Sequence, residues 1–195
     1  MPTPAHEARP PDGGAPDRFR LKKGEPEGRP GGWVLLAAWG PCGYAPVAPG
    51  TAGTLGAIPL FWALRDLPIA LYLLTVAAFI ALACFAAAAA GRYWKVVDAS
   101  PIVIDEVAGY LVTMAFVPWS WGTAVAGFVL FRVFDVMKPW PASFFDRQVK
   151  NGFGVVMDDV AAGVWAFAAL ELLRLGLRVA TGCATSHWWC LELSP

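Results

Sequence analysis

The chain has 195 residues, enough for one domain of ordinary size. Hydrophobic residues make up 57% of it and charged residues 15%, against roughly 45–50% and 25% in soluble domains, which favours a membrane protein or a helical bundle with little polar surface. The formal net charge is zero, which argues against a nucleic-acid partner.

The N-terminal stretch, residues 1–32, is rich in Pro, Gly, Arg and Glu and has no apolar periodicity. Such a composition cannot bury enough apolar surface to fold, so we predict a disordered arm. No apolar run begins near the N-terminus, and the sequence therefore gives no sign of a secretory signal. The tail 179–195 has no usable pattern either, which leaves one helical domain over residues 33–178.

A glycine- and threonine-rich stretch, GPCGYAPVAPGTAGTLGAIP, leads into the apolar run 55–64. Glycines and threonines at the entrance of a helix present backbone N–H groups and hydroxyls to an anion. The alternative is structural, with a threonine capping the helix and the glycines allowing close helix packing. The candidate phosphate contacts in this stretch are Thr51, Gly53 and Thr54.

Residues 67–90 form an uninterrupted apolar run, long enough for a bilayer core, which needs about 20 residues. Further apolar runs cover 101–118, 123–134 and 160–177. The run 55–64 spans only roughly 15 Å, about half a hydrocarbon core. We therefore predict an all-α, multi-helix, membrane-embedded bundle with some short or broken helices. A soluble helical protein with one very apolar helix is the alternative.

Loop charges predict the orientation in the membrane. The positive-inside rule assigns five basic residues at the ends of the apolar runs to the cytoplasm: Arg92, Lys95, Lys138, Arg147 and Lys150. The uncharged, Trp-rich turn at 118–122 suits the opposite interface, although Arg65, Arg174 and Arg178 also fall on that side. This topology places the glycine-rich stretch and the acidic helix junctions on one cytoplasmic face.

Seven charged residues stand at the junctions of the apolar runs: Asp105, Glu106, Arg132, Asp135, Lys138, Asp158 and Asp159. Five carboxylates gathered beside an apolar core would repel one another and take up protons. A hard divalent cation such as Mg²⁺ relieves that repulsion, because it prefers oxygen ligands and often bridges to substrate phosphate. The arginine and the lysine suit phosphate binding. Together these groups predict metal-assisted phosphoryl transfer or hydrolysis.

Each of these charges also has a structural explanation. Acids in the first turn of a helix gain about 0.3–1 kcal/mol from the helix dipole. Arg132 would pair with Asp135, Asp158 would cap the last helix, and the neighbours 146–147 would form a surface pair of little energetic value. The expected location of all the charges on one membrane face favours a site over these separate explanations.

Four separated strings resemble the phosphatidylglycerophosphatase A family in order and spacing: APGTAGTLGAIP, IVIDEVAGYL, FRVFDVMKPWPASFFDR and GFGVVMDDVAAGV, within residues 44–170. The resemblance implies an all-helical, Mg²⁺-dependent phosphatase of the bacterial inner membrane. It also implies hydrolysis of phosphatidylglycerophosphate to phosphatidylglycerol and phosphate at the cytoplasmic face. The chain departs from the family at Ala142, where Ile is common; we expect this to alter packing and not chemistry.

The predicted site combines both lines of reasoning. Four carboxylates are the predicted Mg²⁺ ligands, with one of them a candidate base: Asp105, Glu106, Asp158 and Asp159. Asp135 completes the metal shell or positions the water, and Arg132 and Lys138 bind the phosphate. The stretch 50–54 offers N–H groups to it. The nucleophile is water or an aspartate, and clustered carboxylates favour water.

Two other functions fit parts of the pattern. A lipid headgroup phosphotransferase also uses clustered Asp and Mg²⁺, but its D-G-x₂-A-R-x₈-G-x₃-D-x₃-D spacing is absent from this sequence. A small membrane transporter would carry carboxylates near mid-helix, whereas most lie at helix ends here. The predicted partners are a phospholipid substrate and the membrane. Small residues in the helices fit contacts within or between chains, so the oligomeric state stays open.

Overall fold

The computed structural model describes Pro26 and residues 29–181, and all regular structure within them is helical. The α-helices are α1 (Gly32–Ala37), α2 (Pro49–Leu64), α3 (Ile69–Trp94), α4 (Ile104–Thr113), α5 (Trp121–Met137), α6 (Ala142–Gln148) and α7 (Gly152–Thr181). A 3-10 turn covers Cys42–Tyr44. The predicted all-α bundle with short helices is confirmed. Most of the predicted arm 1–32 and tail 179–195 lies outside the described residues.

Two helices begin earlier than the sequence predicted. α2 starts at Pro49, so the whole stretch 50–54 forms its first turns rather than a loop. Proline suits this first position because the N–H that it lacks has no partner there. α7 starts at Gly152, and the Asn151 side chain accepts a hydrogen bond from the Gly154 N–H at 3.0 Å. Asp158 lies in the second turn, so its predicted role as the helix cap is wrong.

α4 is the central helix of the bundle. Eight of its ten residues are buried, and it packs against α2, α3, α5 and α7. Its apolar side chains share a core with Phe61, Phe131 and Leu170. Tyr110, which is fully buried, donates its hydroxyl to the carbonyl of Ala124 at 3.1 Å. Packing on all sides therefore fixes the position of the two acids in the first turn of α4.

Two glycines allow α4 and α7 to approach each other closely. A Cβ on Gly163 would collide with the carbonyl oxygen of Gly109, and a Cβ on Gly109 would lie 2.7 Å from the carbonyl oxygen of Asp159. Asp105 lies one turn before Gly109, and Asp159 lies one turn before Gly163, each on the same helix face as its glycine. The close crossing therefore brings the two acidic turns together.

Within the part of the chain that the structure describes, two helices are long and apolar enough to cross a membrane, Ile69–Trp94 and Gly152–Ala180. Only 22% of the most apolar window of the first is buried. Its outward surface exposes large apolar side chains: Ile69, Leu71, Leu73, Leu74, Leu82 and Phe85. The second exposes Leu172, Leu175 and Val179 near its C-terminal end. An apolar surface of this extent fits lipid better than water, which agrees with a membrane protein.

Candidate active site

One end of the bundle contains an open cavity of about 380 Å³. Its walls come from α4, α5, α6, α7 and the loop after α3, and its charged lining residues are Asp98, Asp105, Glu106, Asp135, Lys138, Asp146, Lys150, Asp158 and Asp159. Six of the seven charged residues predicted from the helix junctions line this cavity. The seventh, Arg132, contacts Glu106. Charges distant in sequence therefore meet at one place in the fold.

Three carboxylates from α4 and α7 lie close enough to share one cation. Asp105, Glu106 and Asp159 each offer an oxygen atom within 4.8 Å of the other two. Glu106 Oε2 is fully enclosed and has no hydrogen-bond partner. A buried carboxylate oxygen without a donor is costly unless a proton or a cation neutralises it. Three carboxylate oxygens in so small a space fit a hard divalent cation such as Mg²⁺.

Burial raises the pKa of both acids in the first turn of α4. Desolvation is the main cause for Asp105, and the carboxylates of Glu106, Asp98 and Asp158 add repulsion, so its pKa lies well above the usual value. Desolvation also raises the pKa of Glu106 to about 7, while the nearby Arg132 acts in the opposite direction. Without a cation, protons therefore occupy part of this cluster near neutral pH.

Arg132 on α5 lies beside the carboxylate cluster. Its Nη1 is 2.7 Å from Asp135 Oδ2 and 3.6 Å from Glu106 Oε1, so the predicted pairing with Asp135 is present. The contact with Asp135 is an ion pair and does not have the geometry of a hydrogen bond. The buried Nη1 therefore has no hydrogen-bond partner. Gly50 in α2 leaves room for the arrangement: a Cβ there would collide with Glu106 Oε1 and lie 3.2 Å from Arg132 Nη1.

Lys138 joins the end of α5 to α6 and α7. Its Nζ donates to Asp146 Oδ1 at 2.8 Å and to Asp158 Oδ2 at 2.5 Å. Burial by itself would lower the pKa of Lys138, but the attraction of these carboxylates outweighs burial and raises it. The lysine is therefore charged, and Asp158, one of the four predicted metal ligands, has this ammonium group as its partner.

In the glycine- and threonine-rich stretch, Gly50 lies against the charged site, whereas Gly53 and Thr54 are buried in the core. Thr54 is fully buried and donates its hydroxyl to the carbonyl of Gly50 at 2.9 Å. Gly53 packs closely on Val103, where an added Cβ would lie 2.7 Å from the valine Cβ. Neither these two residues nor the half-buried Thr51 line the cavity. Close packing accounts for Gly53 and Thr54, and their predicted contact with phosphate stays a prediction.

Two acids of the cavity were missed by sequence reasoning. Asp146 on α6 accepts a hydrogen bond from Lys138 and lines the cavity, whereas the sequence suggested only a surface pair with its neighbour. Asp98, in the loop after α3, also lines the cavity. Its position shortly after Arg92 and Lys95, at the predicted cytoplasmic end of a membrane helix, is the signal that could have identified it.

Comparisons with known proteins point to one family. Residues 35–174, which include every charged residue of the cavity, match the family model described as Phosphatidylglycerophosphatase A. The Phosphatidylglycerophosphatase A of Escherichia coli (strain K12) is 39% identical over 150 residues, covering 75% of this chain and 83% of that protein. The protein of the same name from Haemophilus influenzae is 37% identical over 134 residues, covering 68% and 82%.

A third relative carries a different name. A Bacteroides thetaiotaomicron protein called a putative phosphatidylinositol-3-phosphatase is 38% identical over 149 residues, covering 72% of this chain and 92% of that protein. No solved structure gives a significant match. All three names contain the word phosphatase, and the third names a different lipid from the other two.

Proposed function

The chain belongs to the phosphatidylglycerophosphatase A family, and we propose that it hydrolyses phosphatidylglycerophosphate to phosphatidylglycerol and phosphate with the help of Mg²⁺. Membership makes it a phosphatase of phospholipid metabolism. The proposed metal is supported above all by the convergence of Asp105, Glu106 and Asp159, whose oxygen atoms lie within 4.8 Å of one another.

These three carboxylates are the residues that would hold Mg²⁺. When bound, the ion supplies positive charge that offsets the negative charge of the phosphate group during hydrolysis. The carboxyl groups would lose their protons on binding, because a metal ligand must be deprotonated. Asp158, the fourth ligand predicted from sequence, is assigned a positioning role instead, since its carboxylate holds Lys138.

Arg132 and Lys138 would bind the phosphate group. Arg132 Nη1 forms ion pairs with Asp135 and Glu106 but makes no hydrogen bond. Phosphate oxygens are strong hydrogen-bond acceptors for a guanidinium group. An ammonium group has three N–H donors. Lys138 directs two of them to Asp146 and Asp158, which leaves one for the substrate.

Hydrolysis requires one proton to leave the attacking water and one to reach the leaving glycerol oxygen. The water oxygen forms a new bond to phosphorus as the bond from phosphorus to the glycerol oxygen breaks. We assign the water proton to Asp135, which lines the cavity beside Arg132 and stands outside the three proposed ligands. Asp135 then gives up this proton to the glycerol oxygen, which completes the alcohol product and returns the carboxylate to its starting form.

The proposed location is the bacterial inner membrane, with the cavity on the cytoplasmic side. Arg92 and Lys95 lie at the end of α3 next to the loop that lines the cavity, and Lys150 lines the cavity itself. Positive charge at this end of two membrane-crossing helices favours the cytoplasmic side. The substrate headgroup would then approach from the cytoplasmic leaflet.

Release of phosphate by the purified protein tests this function. With phosphatidylglycerophosphate in nonionic detergent micelles and Mg²⁺, we expect one phosphate per lipid consumed, loss of release with EDTA, and recovery with excess Mg²⁺. Release that EDTA leaves unchanged would remove the metal from the proposal. Phosphatidylinositol 3-phosphate in the same micelles tests the headgroup: faster release from this lipid would overturn the proposed substrate. Transfer of a headgroup without free phosphate would favour a phosphotransferase.

A further inference from the structure

We propose that the acyl chains of the phospholipid substrate lie against an aromatic patch around α6 while the headgroup occupies the acidic cavity. The patch consists of Trp140, Phe144, Phe145 and Phe153. This inference rests on the proposed function, since it requires a lipid substrate. It adds a binding surface for the part of that substrate that does not react.

The patch is exposed at the surface and connected to the cavity. Trp140 is 75% exposed, Phe144 is 48% exposed and Phe153 is 49% exposed. Phe145 lines the acidic cavity. Its ring lies 5.6 Å from that of Phe144 and 6.2 Å from that of Phe153. Phe145 therefore joins the wall of the cavity to the aromatic surface outside it.

The patch begins where an exposed apolar stripe on α5 ends. The stripe repeats about every fourth residue on one helix face: Trp121, Val125, Val129, Val133, Val136 and Met137. Tryptophans at the two ends of a membrane-exposed stripe are typical of the aromatic belts at the membrane interfaces. Trp165 on α7 stacks on Phe134 and donates to the carbonyl of Trp140 at 3.0 Å, which fixes Trp140 against the bundle. The patch therefore continues the surface that faces lipid.

Charge next to the patch favours a phospholipid over a protein as the occupant. Arg147 is exposed on α6, and Lys150 follows α6 and lines the cavity. Basic side chains beside exposed aromatic rings are typical of segments that lie in a membrane interface and attract anionic headgroups. A phospholipid supplies both features in one molecule, with its chains on the rings and its phosphates near the basic residues.

Two substrates with the same headgroup, one with acyl chains and one without, distinguish binding at the aromatic patch from binding in the acidic cavity. One is dioleoyl phosphatidylglycerophosphate, and the other is its deacylated form, both assayed in the same micelles. We expect a higher kcat/KM for the acylated substrate with the wild-type protein. The double variant Phe144→Ser/Phe153→Ser should lower the ratio of the two kcat/KM values by about tenfold, because the acyl chains lose apolar contact.

Phe85→Ser is the matched control. Phe85 is 71% exposed on α3 and does not line the cavity, so its loss removes an apolar ring from the lipid-facing surface elsewhere. We expect the ratio to stay at the wild-type value. As a second measurement, a phosphatidylglycerophosphate with a photoreactive acyl chain should label peptides that contain residues 140–153.

The outcomes separate this inference from the function on which it rests. The inference is overturned if the wild-type protein shows no preference for the acylated substrate, or if the double variant keeps the wild-type ratio. An equal fall of the kcat/KM ratio in Phe85→Ser, or photolabelling confined to α3, would overturn it as well. In each of these cases, release of phosphate would still support the proposed phosphatase activity. Failure of the wild-type protein to release phosphate from either substrate would contradict the proposed function instead.

Discussion

α3 and α4 follow each other in the chain and pack together, yet they distribute polarity in opposite ways. α3 is long and apolar, and it exposes rings and aliphatic chains such as Phe85 and Leu74. α4 is short and buried, and it carries Asp105 and Glu106 in its first turn. A soluble protein usually keeps apolar groups inside and acids outside. The reversal suits a protein that has lipid around it and handles a phosphate group inside it.

The contrast also shows why the acids of α4 need a partner. Ionised carboxylates out of contact with water are unstable unless they are paired, protonated or bound to a metal. Lys138 pairs with Asp158 and Asp146, and Arg132 pairs with Asp135. Among the described residues, the cluster formed by α4 and Asp159 has weaker compensation, since Arg132 approaches Glu106 only to 3.6 Å. This difference supports the cluster as the proposed site of a cation.

The largest effect is expected from removing one buried charge of this cluster. Asp159→Asn keeps the size of the side chain and removes a proposed metal ligand, so phosphate release should fall by at least about a hundredfold. The matched control is Asp66→Asn, because the Asp66 side chain is 83% exposed and lies outside the cavity. We expect wild-type kcat for the control. Full activity in Asp159→Asn would exclude Asp159 from the mechanism.

The crossing of α4 and α7 can be disrupted without touching a charge. Gly163→Ala places a methyl group against the Gly109 carbonyl and should destabilise the protein by about 1–3 kcal/mol. Gly176→Ala on the same helix meets nothing within 4 Å and should be neutral or stabilise by up to about 1 kcal/mol. Thermal unfolding in detergent measures both. Equal effects of the two variants would contradict the close crossing.

Replacing the guanidinium group tests the phosphate contact. Arg132→Lys keeps the charge but loses the planar fork, so we expect KM to rise by about tenfold with a smaller change in kcat. Arg65→Lys is the control, because Arg65 lies over the Trp62 ring at 4.3 Å and does not line the cavity. An Arg132→Lys protein with wild-type KM and kcat would contradict the proposed role.

A smaller effect is expected from pH. The pKa of Glu106 is raised from 4.5 to about 7 in the folded protein, so the folded state holds more protons than the unfolded state between these values. The metal-free protein should therefore lose stability as pH rises through this window. Mg²⁺ needs the deprotonated form, so its stabilising effect should grow several-fold between about pH 6 and pH 8. Unfolding temperatures with and without Mg²⁺ measure this; a Mg²⁺ effect independent of pH would contradict it.

The acids were predictable because a charge within an apolar pattern stands out in the sequence. Asp105, Glu106 and Asp159 were identified in this way. The early starts of α2 and α7 were not predicted, since their first residues are glycine-rich and lack an apolar period. Tertiary packing stabilises them: a Cβ on Gly152 would collide with the backbone of α3. The pairing of Lys138 was also missed, because no sequence pattern reports which distant carboxylate a lysine side chain reaches.

The proposed metal site places one divalent cation between α4 and α7, held by Asp105, Glu106 and Asp159. Mn²⁺ accepts the same oxygen ligands as Mg²⁺ and its free form is observed directly by electron paramagnetic resonance. Titration into metal-free protein should show about one bound ion per chain for the wild type and for Asp66→Asn, and a large loss of affinity for Asp105→Asn. A wild-type protein that binds no Mn²⁺, or an Asp105→Asn protein that binds it as tightly, would contradict the claim.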